Sequence, residues 1–146
     1  MRRRALLVLL ASLPLAARAQ PLRDAVLYKS PDCGCCHEHA AYLRKHGYRV
    51  TEIPTDDLDR FKRQQGVPEA LFGCHTILVG GYVVEGHVSA AVIDRLLRER
   101  PSIRGVSLPG MPTGSPGMTG PKLEPFRTYE IAAAGATGAP RIYAVE

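Results

Sequence analysis

A short apolar run, residues 25–28, breaks at Ser30-Pro31-Asp32 and gives way to a helical pattern that opens on Cys33-Gly34-Cys35-Cys36. Three cysteines at one strand-to-helix junction constrain the fold more than any other feature of the chain. The apolar run is short and bounded by turn residues, as a buried strand is. Cys36, Ala40 and Leu43 then fall on one helical face, and Gly47 ends a helix expected over residues 36–46. Residues 48–53 read as a second strand, more polar and so nearer a sheet edge. A second helix is expected from Pro54-Thr55 to Gln65. Leu58 and Phe61 face inward on it, and Asp56 and Asp57 favour its N-terminus. Residues 76–79 are apolar and strand-like, Gly80-Gly81 is a two-residue hairpin turn, and residues 82–85 return as the partner. Ser89 caps a third helix to about Arg100, with Val92, Ile93, Leu96 and Leu97 as its stripe, and Pro101 stops it.

This order predicts an α/β fold with a thioredoxin-like β-α-β-α-β-β-α core, residues 25–28 and 76–79 forming its inner strands. Residues 102–127 read as a loop-rich extension. Within it residues 108–118 are too rich in glycine and proline for a helix or a central strand, yet carry Met111 and Met118. Residues 128–133 and 141–145 are expected to form a C-terminal β-hairpin. Residues 20–146 thus read as a single domain.

Residues 1–19 read as a cleaved signal peptide. Arg2, Arg3 and Arg4 precede an apolar run, and Ala17-Arg18-Ala19 places small residues where a signal peptidase reads them, so cleavage is expected after Ala19. The run falls short of the roughly 20 apolar residues a spanning helix needs, so no stable membrane anchor is expected. The chain of 146 residues carries a net charge of +5, but four of its arginines lie in this segment. The remainder is nearly neutral and lacks the basic face that nucleic-acid binding requires. Export would put the mature protein outside the cytoplasm, in an oxidising compartment, and the four cysteines must be read accordingly.

The helix N-terminus favours negative charge, so thiols there lean toward the thiolate, which is both nucleophile and metal ligand. Cys74 precedes the second apolar strand, and in the expected layout its loop faces the loop after the first, so all four cysteines could converge. Several chemistries fit. Cys33 and Cys36 have the C-x-x-C spacing of a thiol-disulfide oxidoreductase, but Cys35 would offer wrong partners for exchange. Cys33 to His37 spell the c-type haem motif, with Met111 or Met118 as a far axial ligand, but haem leaves Cys35 and Cys74 unused and suits a mainly helical chain. Two structural disulfides would suit the compartment, but three near-adjacent cysteines cannot staple distant segments. A soft-metal site uses all four: thiolates and thioethers select Cu(I), and a dense sulfur cage could hold several ions.

Four motifs in order resemble the CopG-like family of periplasmic copper-resistance proteins. They are Tyr28-Lys29-Ser30-Pro31 leading to Cys33-Gly34-Cys35-Cys36; Cys74-His75-Thr76; Gly81-Tyr82-Val83-Val84-Glu85-Gly86-His87-Val88; and Pro109-Gly110-Met111-Pro112-Thr113-Gly114-Ser115-Pro116-Gly117-Met118. The resemblance implies a thioredoxin-like fold, a polynuclear copper cluster and a redox role in copper handling. It makes Cys33, Cys35 and Cys36 cluster thiolates, Cys74 a fourth sulfur or a redox partner, and Met111 and Met118 thioether ligands. Ser89 stands where the family commonly has proline, a helix-capping detail.

Of the histidines, His75 is a candidate ligand because it adjoins Cys74, and His87 because of the family motif. His37 and His39 read as exposed polar residues of the first helix, and His46 as a charge partner of its C-terminus. The expectation is therefore a periplasmic Cu(I)-binding protein in copper resistance, with a thiol-disulfide oxidoreductase using Cys33 and Cys36 as the alternative. Copper ions, and a periplasmic copper chaperone or efflux component, are its expected partners. Residues 108–118 are expected to fold over the cysteines as a lid that brings Met111 or Met118 to the metal.

Overall fold

The computed structural model describes residues 23–146; the expected signal peptide and its cleavage point lie outside the described residues. The elements follow the order read from the sequence: β1 (Arg23–Lys29), α1 (Gly34–Lys45), β2 (Tyr48–Pro54), α2 (Leu58–Gln64), β3 (Thr76–Val79), β4 (Tyr82–Glu85) and α3 (Ala90–Glu99). Then come β5 (Gly105–Ser107), β6 (Arg127–Ile131) and β7 (Ile142–Val145). All seven strands join one mixed sheet in the order β2-β1-β3-β4-β5-β6-β7. The polar strand β2 is an edge, as its composition predicts, and the apolar β1 and β3 are interior neighbours. β1 and β2, joined by α1, run parallel, whereas β3 runs antiparallel to both β1 and β4.

Period-two alternation divides the core between the two faces of the sheet. Leu27, Ile77, Val79 and Val84 pack with Cys36, Ala40 and Leu43 of α1 and with Val92, Ile93 and Leu96 of α3. Val83 and Leu78 point the other way and pack with Val67, Leu71 and Ile131. On that second face Tyr28 stacks on Phe61 of α2, with ring centroids 4.0 Å apart. The helices are capped as their sequences demand. The Ser89 hydroxyl accepts from the Val92 N–H at 3.2 Å, and the Asp57 carboxylate accepts from the Arg60 N–H at 3.0 Å. Caps of this kind contribute about 1 kcal/mol each.

Two boundaries differ from the sequence expectation. α2 starts at Leu58 rather than near Pro54, because Pro54 stays in β2 opposite Lys29 and Asp57 takes the N-cap. The strand β5, three residues inside the loop-rich stretch, is too short to show a period. It exists because Gly105 has no side chain: a Cβ there would lie 1.8 Å from the Val83 carbonyl oxygen. The C-terminal hairpin forms, with Arg127 opposite Val145.

The sheet register gathers the chemistry at one end. Tyr28 lies opposite Thr76, so the end of β1 that leads to Cys33 sits beside the start of β3, which Cys74 and His75 precede. Thr76 lies opposite Glu85, which brings His87 to the same end. Glu85 is also paired with Ser107, so residues 108–118 leave the sheet there too.

Candidate metal centre

Cys33 is the N-cap of α1, its sulfur accepting from the Cys36 N–H at 3.3 Å. It is joined to Cys36 by a disulfide, and Cys35 and Cys74 are free thiols. Cys74 is the hub. Its Sγ lies 3.4 Å from Cys33 Sγ, 3.2 Å from Cys35 Sγ and 3.4 Å from Cys36 Sγ. All four sulfurs fall within 4.8 Å of one another. Burial, reinforced by the neighbouring Cys35 thiol, pushes the Cys74 thiol up to about 12. Without a metal it keeps its proton at neutral pH, and a metal ion taken up there must displace that proton.

A second constellation shares Cys74. One nitrogen each of His75 and His87 lies within 4.8 Å of Cys74 Sγ and of the other. Both rings are fully buried, and so is His39, which completes a triangle with centroid separations of 4.8–4.9 Å. His39 corrects the sequence expectation. It is 0% exposed because position 39 lies on the face of α1 defined by Cys36, Ala40 and Leu43. The helical period carried that signal; the residue's polarity hid it. His37 is exposed and pairs with Glu52 at 3.1 Å, and His46 Nδ1 donates to the Tyr42 carbonyl in the last turn of α1 at 2.8 Å.

The hydrogen bonds of the triangle leave two nitrogens without a protein partner. His87 Nδ1 donates to the Pro116 carbonyl at 2.7 Å, so its proton is on Nδ1 and Nε2 is a bare lone pair. His75 Nε2 is engaged by His39 Nδ1 at 2.8 Å. His75 Nδ1 and His87 Nε2 are buried with no hydrogen-bond partner. An orphaned buried nitrogen is costly unless something satisfies it. A proton is a poor candidate, since burial lowers the pKa of all three rings: His39 to about 3, His75 well below its ordinary value, and His87 less. A cation shared with Cys74 meets the need, and a carbonyl holding the far N–H of His87 is the usual support of a ligating imidazole.

Residues 108–118 fold back onto this histidine face. Besides the Pro116–His87 bond, Gly117 is pressed so closely on α1 that a Cβ would lie 2.5 Å from His39 N. Met118 follows directly and is partly buried, whereas Met111 is 58% exposed.

Sequence reasoning missed Lys62 and Glu85. Both are essentially fully buried and form an ion pair behind the Cys74 loop. Lys62 Nζ donates to the Gly73 carbonyl at 2.7 Å, and Glu85 accepts from the Gly73 N–H at 2.8 Å and the Thr76 hydroxyl at 2.6 Å. The pair therefore grips the residue before Cys74 at both its N–H and its C=O.

Among the described residues no helix is long and apolar enough to cross a membrane. No curated protein matches the chain. Residues 71–118 match the family described as a protein of unknown function, DUF411; that stretch runs from the Cys74 loop to Met118. Two solved structures, forms 2 and 1 of the copper resistance protein CopG, are each 34% identical to the chain. Form 2 has a TM-score of 0.78 and the match covers 87% of this chain and 99% of that one; for form 1 the values are 0.77, 87% and 98%. With four clustered cysteines on a shared fold at that identity and coverage, the chain belongs to the CopG copper-resistance family.

Proposed function

We propose that this protein binds Cu(I) in copper homeostasis, using Cys33, Cys35, Cys36 and Cys74 as sulfur ligands and His75 and His87 as nitrogen ligands. The observation that carries the reading is the convergence on Cys74 of three further sulfurs and of the His75 and His87 rings, each of which has one buried nitrogen without a hydrogen-bond partner. Thiolates favour Cu(I), imidazole also accepts copper, and a thiolate shared by two ligand sets can bridge ions, so more than one ion is expected. Met118 is the nearer thioether candidate, because it adjoins the Gly117 contact with His39; Met111 would have to move inward from its exposed position. The reading includes export by the segment 1–19, a mature periplasmic domain of residues 20–146, and exchange of copper with a periplasmic chaperone or efflux component.

The cysteines also permit redox handling of copper. Two thiolates can each give one electron to a Cu(II) ion, yielding two Cu(I) ions and the Cys33–Cys36 disulfide; exchange with an external dithiol, itself oxidised to a disulfide, would restore the thiols. The disulfide also favours the second reading, a thiol-disulfide oxidoreductase, because it joins the C-x-x-C pair. Cys35 separates the two. Anaerobic titration of reduced protein with Cu(I) against a chromophoric chelator should show Cys35→Ser losing bound copper as Cys33→Ser and Cys74→Ser do. Normal copper uptake by Cys35→Ser, with disulfide exchange by Cys33 and Cys36 intact, would favour the oxidoreductase.

A further inference from the structure

We propose that His39 is a positioning residue that sets the tautomer of His75, so that the buried, partnerless Nδ1 of His75 is kept bare and available as a ligand. The inference deepens the copper reading of that site and rests on it for its purpose, but its geometry stands on hydrogen bonds alone.

The chain of donors runs in one direction. Its far end is the Val88 carbonyl, which can only accept, and His39 Nε2 lies 2.9 Å from it. His39 Nε2 must therefore carry a proton. His39 is fully buried and belongs to none of the ion pairs among the described residues, so its ring is neutral and has only that one proton. His39 Nδ1 is then an acceptor, and the nitrogen 2.8 Å away, His75 Nε2, must donate to it. The proton of His75 is thus held on Nε2, and Nδ1, which has no hydrogen-bond partner, is left with its lone pair. Nδ1-protonated His75 would set two bare nitrogens against each other and lose the bond.

The arrangement does for His75 what the Pro116 carbonyl does for His87. It differs in its source. A backbone carbonyl orients one ring, and a third imidazole on α1, itself anchored to the backbone, orients the other. Gly117 packed on His39 holds that imidazole's backbone against the loop, so the helix and the loop brace the two ligating rings together.

Two substitutions dissect the role. In His39→Asn the side-chain oxygen occupies about the place of Nδ1 and can still accept from His75. In His39→Gln the amide nitrogen occupies about the place of Nε2, so the bond to Val88 is kept and the acceptor facing His75 is lost. Long-range 1H–15N correlation spectra of the reduced, metal-free protein read the tautomers directly. In the unsubstituted protein His75 and His39 should be protonated on Nε2 and His87 on Nδ1. His39→Asn should keep the His75 tautomer. His39→Gln should lower its ratio to the Nδ1–H form roughly fivefold, the worth of one buried hydrogen bond. Cu(I) affinity should fall about tenfold in His39→Gln and be rescued in His39→Asn, as for other residues that orient a metal-binding histidine. His75 protonated on Nδ1 in the unsubstituted protein would overturn the inference even if neither variant folds, and so would an identical tautomer ratio in all three. If the unsubstituted protein shows the expected tautomers but takes up no Cu(I), the copper reading fails and the assignment to His39 stands.

Discussion

Glu85→Gln alone should destabilise the metal-free protein by about 3–5 kcal/mol, and so should Lys62→Met alone, because each strands one charge in the interior. The pair is buried between β4 and α2, and its partners are already committed: Glu85 to Lys62, Gly73 and Thr76, and Lys62 to Glu85 and Gly73. The double variant Lys62→Met/Glu85→Gln should recover most of the loss, since glutamine can still accept from the Gly73 N–H and no unpaired charge remains. Urea unfolding of the four proteins checks this. Losses under about 1 kcal/mol in both single variants, the range of exposed pairs, would contradict it. Because the pair grips the Gly73 backbone, either single variant should also loosen the Cys74 loop and lower copper retention.

The metal-free protein should be sharply acid-sensitive. In the unfolded chain each histidine takes up a proton near its ordinary pKa of about 6.5. In the folded protein burial holds His39 unprotonated down to about 3 and pushes His75 well below its ordinary range. Below pH 6.5 the unfolded state therefore binds more protons, and stability present above that pH is lost as it falls. His39 alone should cost about 2 kcal/mol between pH 7 and pH 5, at about 1.4 kcal/mol per pH unit once below 6.5, and His75 adds to the loss in the same direction. Urea unfolding at the two pH values measures this, and His39→Gln should remove the part of the dependence that His39 carries, about 2 kcal/mol. Equal stability at pH 7 and pH 5 would mean that the imidazoles are not held neutral in the fold.

What the sequence made legible follows from how local each signal is. β3, its Gly80-Gly81 turn and β4 were readable to the residue, because turn chemistry and apolar runs are adjacent in the chain. Convergence of Cys74 on the other three cysteines was also readable, because strand order alone puts the two loops together. His39 was misread although it recurs at the period of the buried face of α1, since a histidine three residues past Cys36 is by default a surface residue. Lys62 sits four residues after Leu58 on the inward face of α2, but only the fold supplies Glu85, 23 residues away, to accept its charge. That residues 108–118 fold back over the site was expected from their glycines, prolines and methionines, but that they land on the histidines was equally silent. It depends on a carbonyl and a missing Cβ, at Pro116 and Gly117, and neither leaves a pattern in the sequence.

The central claim is that Cys74 joins a sulfur cage to a two-imidazole face around copper. Copper K-edge X-ray absorption of the reduced, Cu(I)-loaded mature protein tests it most directly. The account predicts a first shell dominated by sulfur, together with the outer-shell scattering of imidazole. That scattering should vanish in His75→Phe/His87→Phe, and the sulfur count should fall in Cys74→Ser. A sulfur shell with no imidazole signal, or a spectrum that Cys74→Ser leaves unchanged, would contradict it.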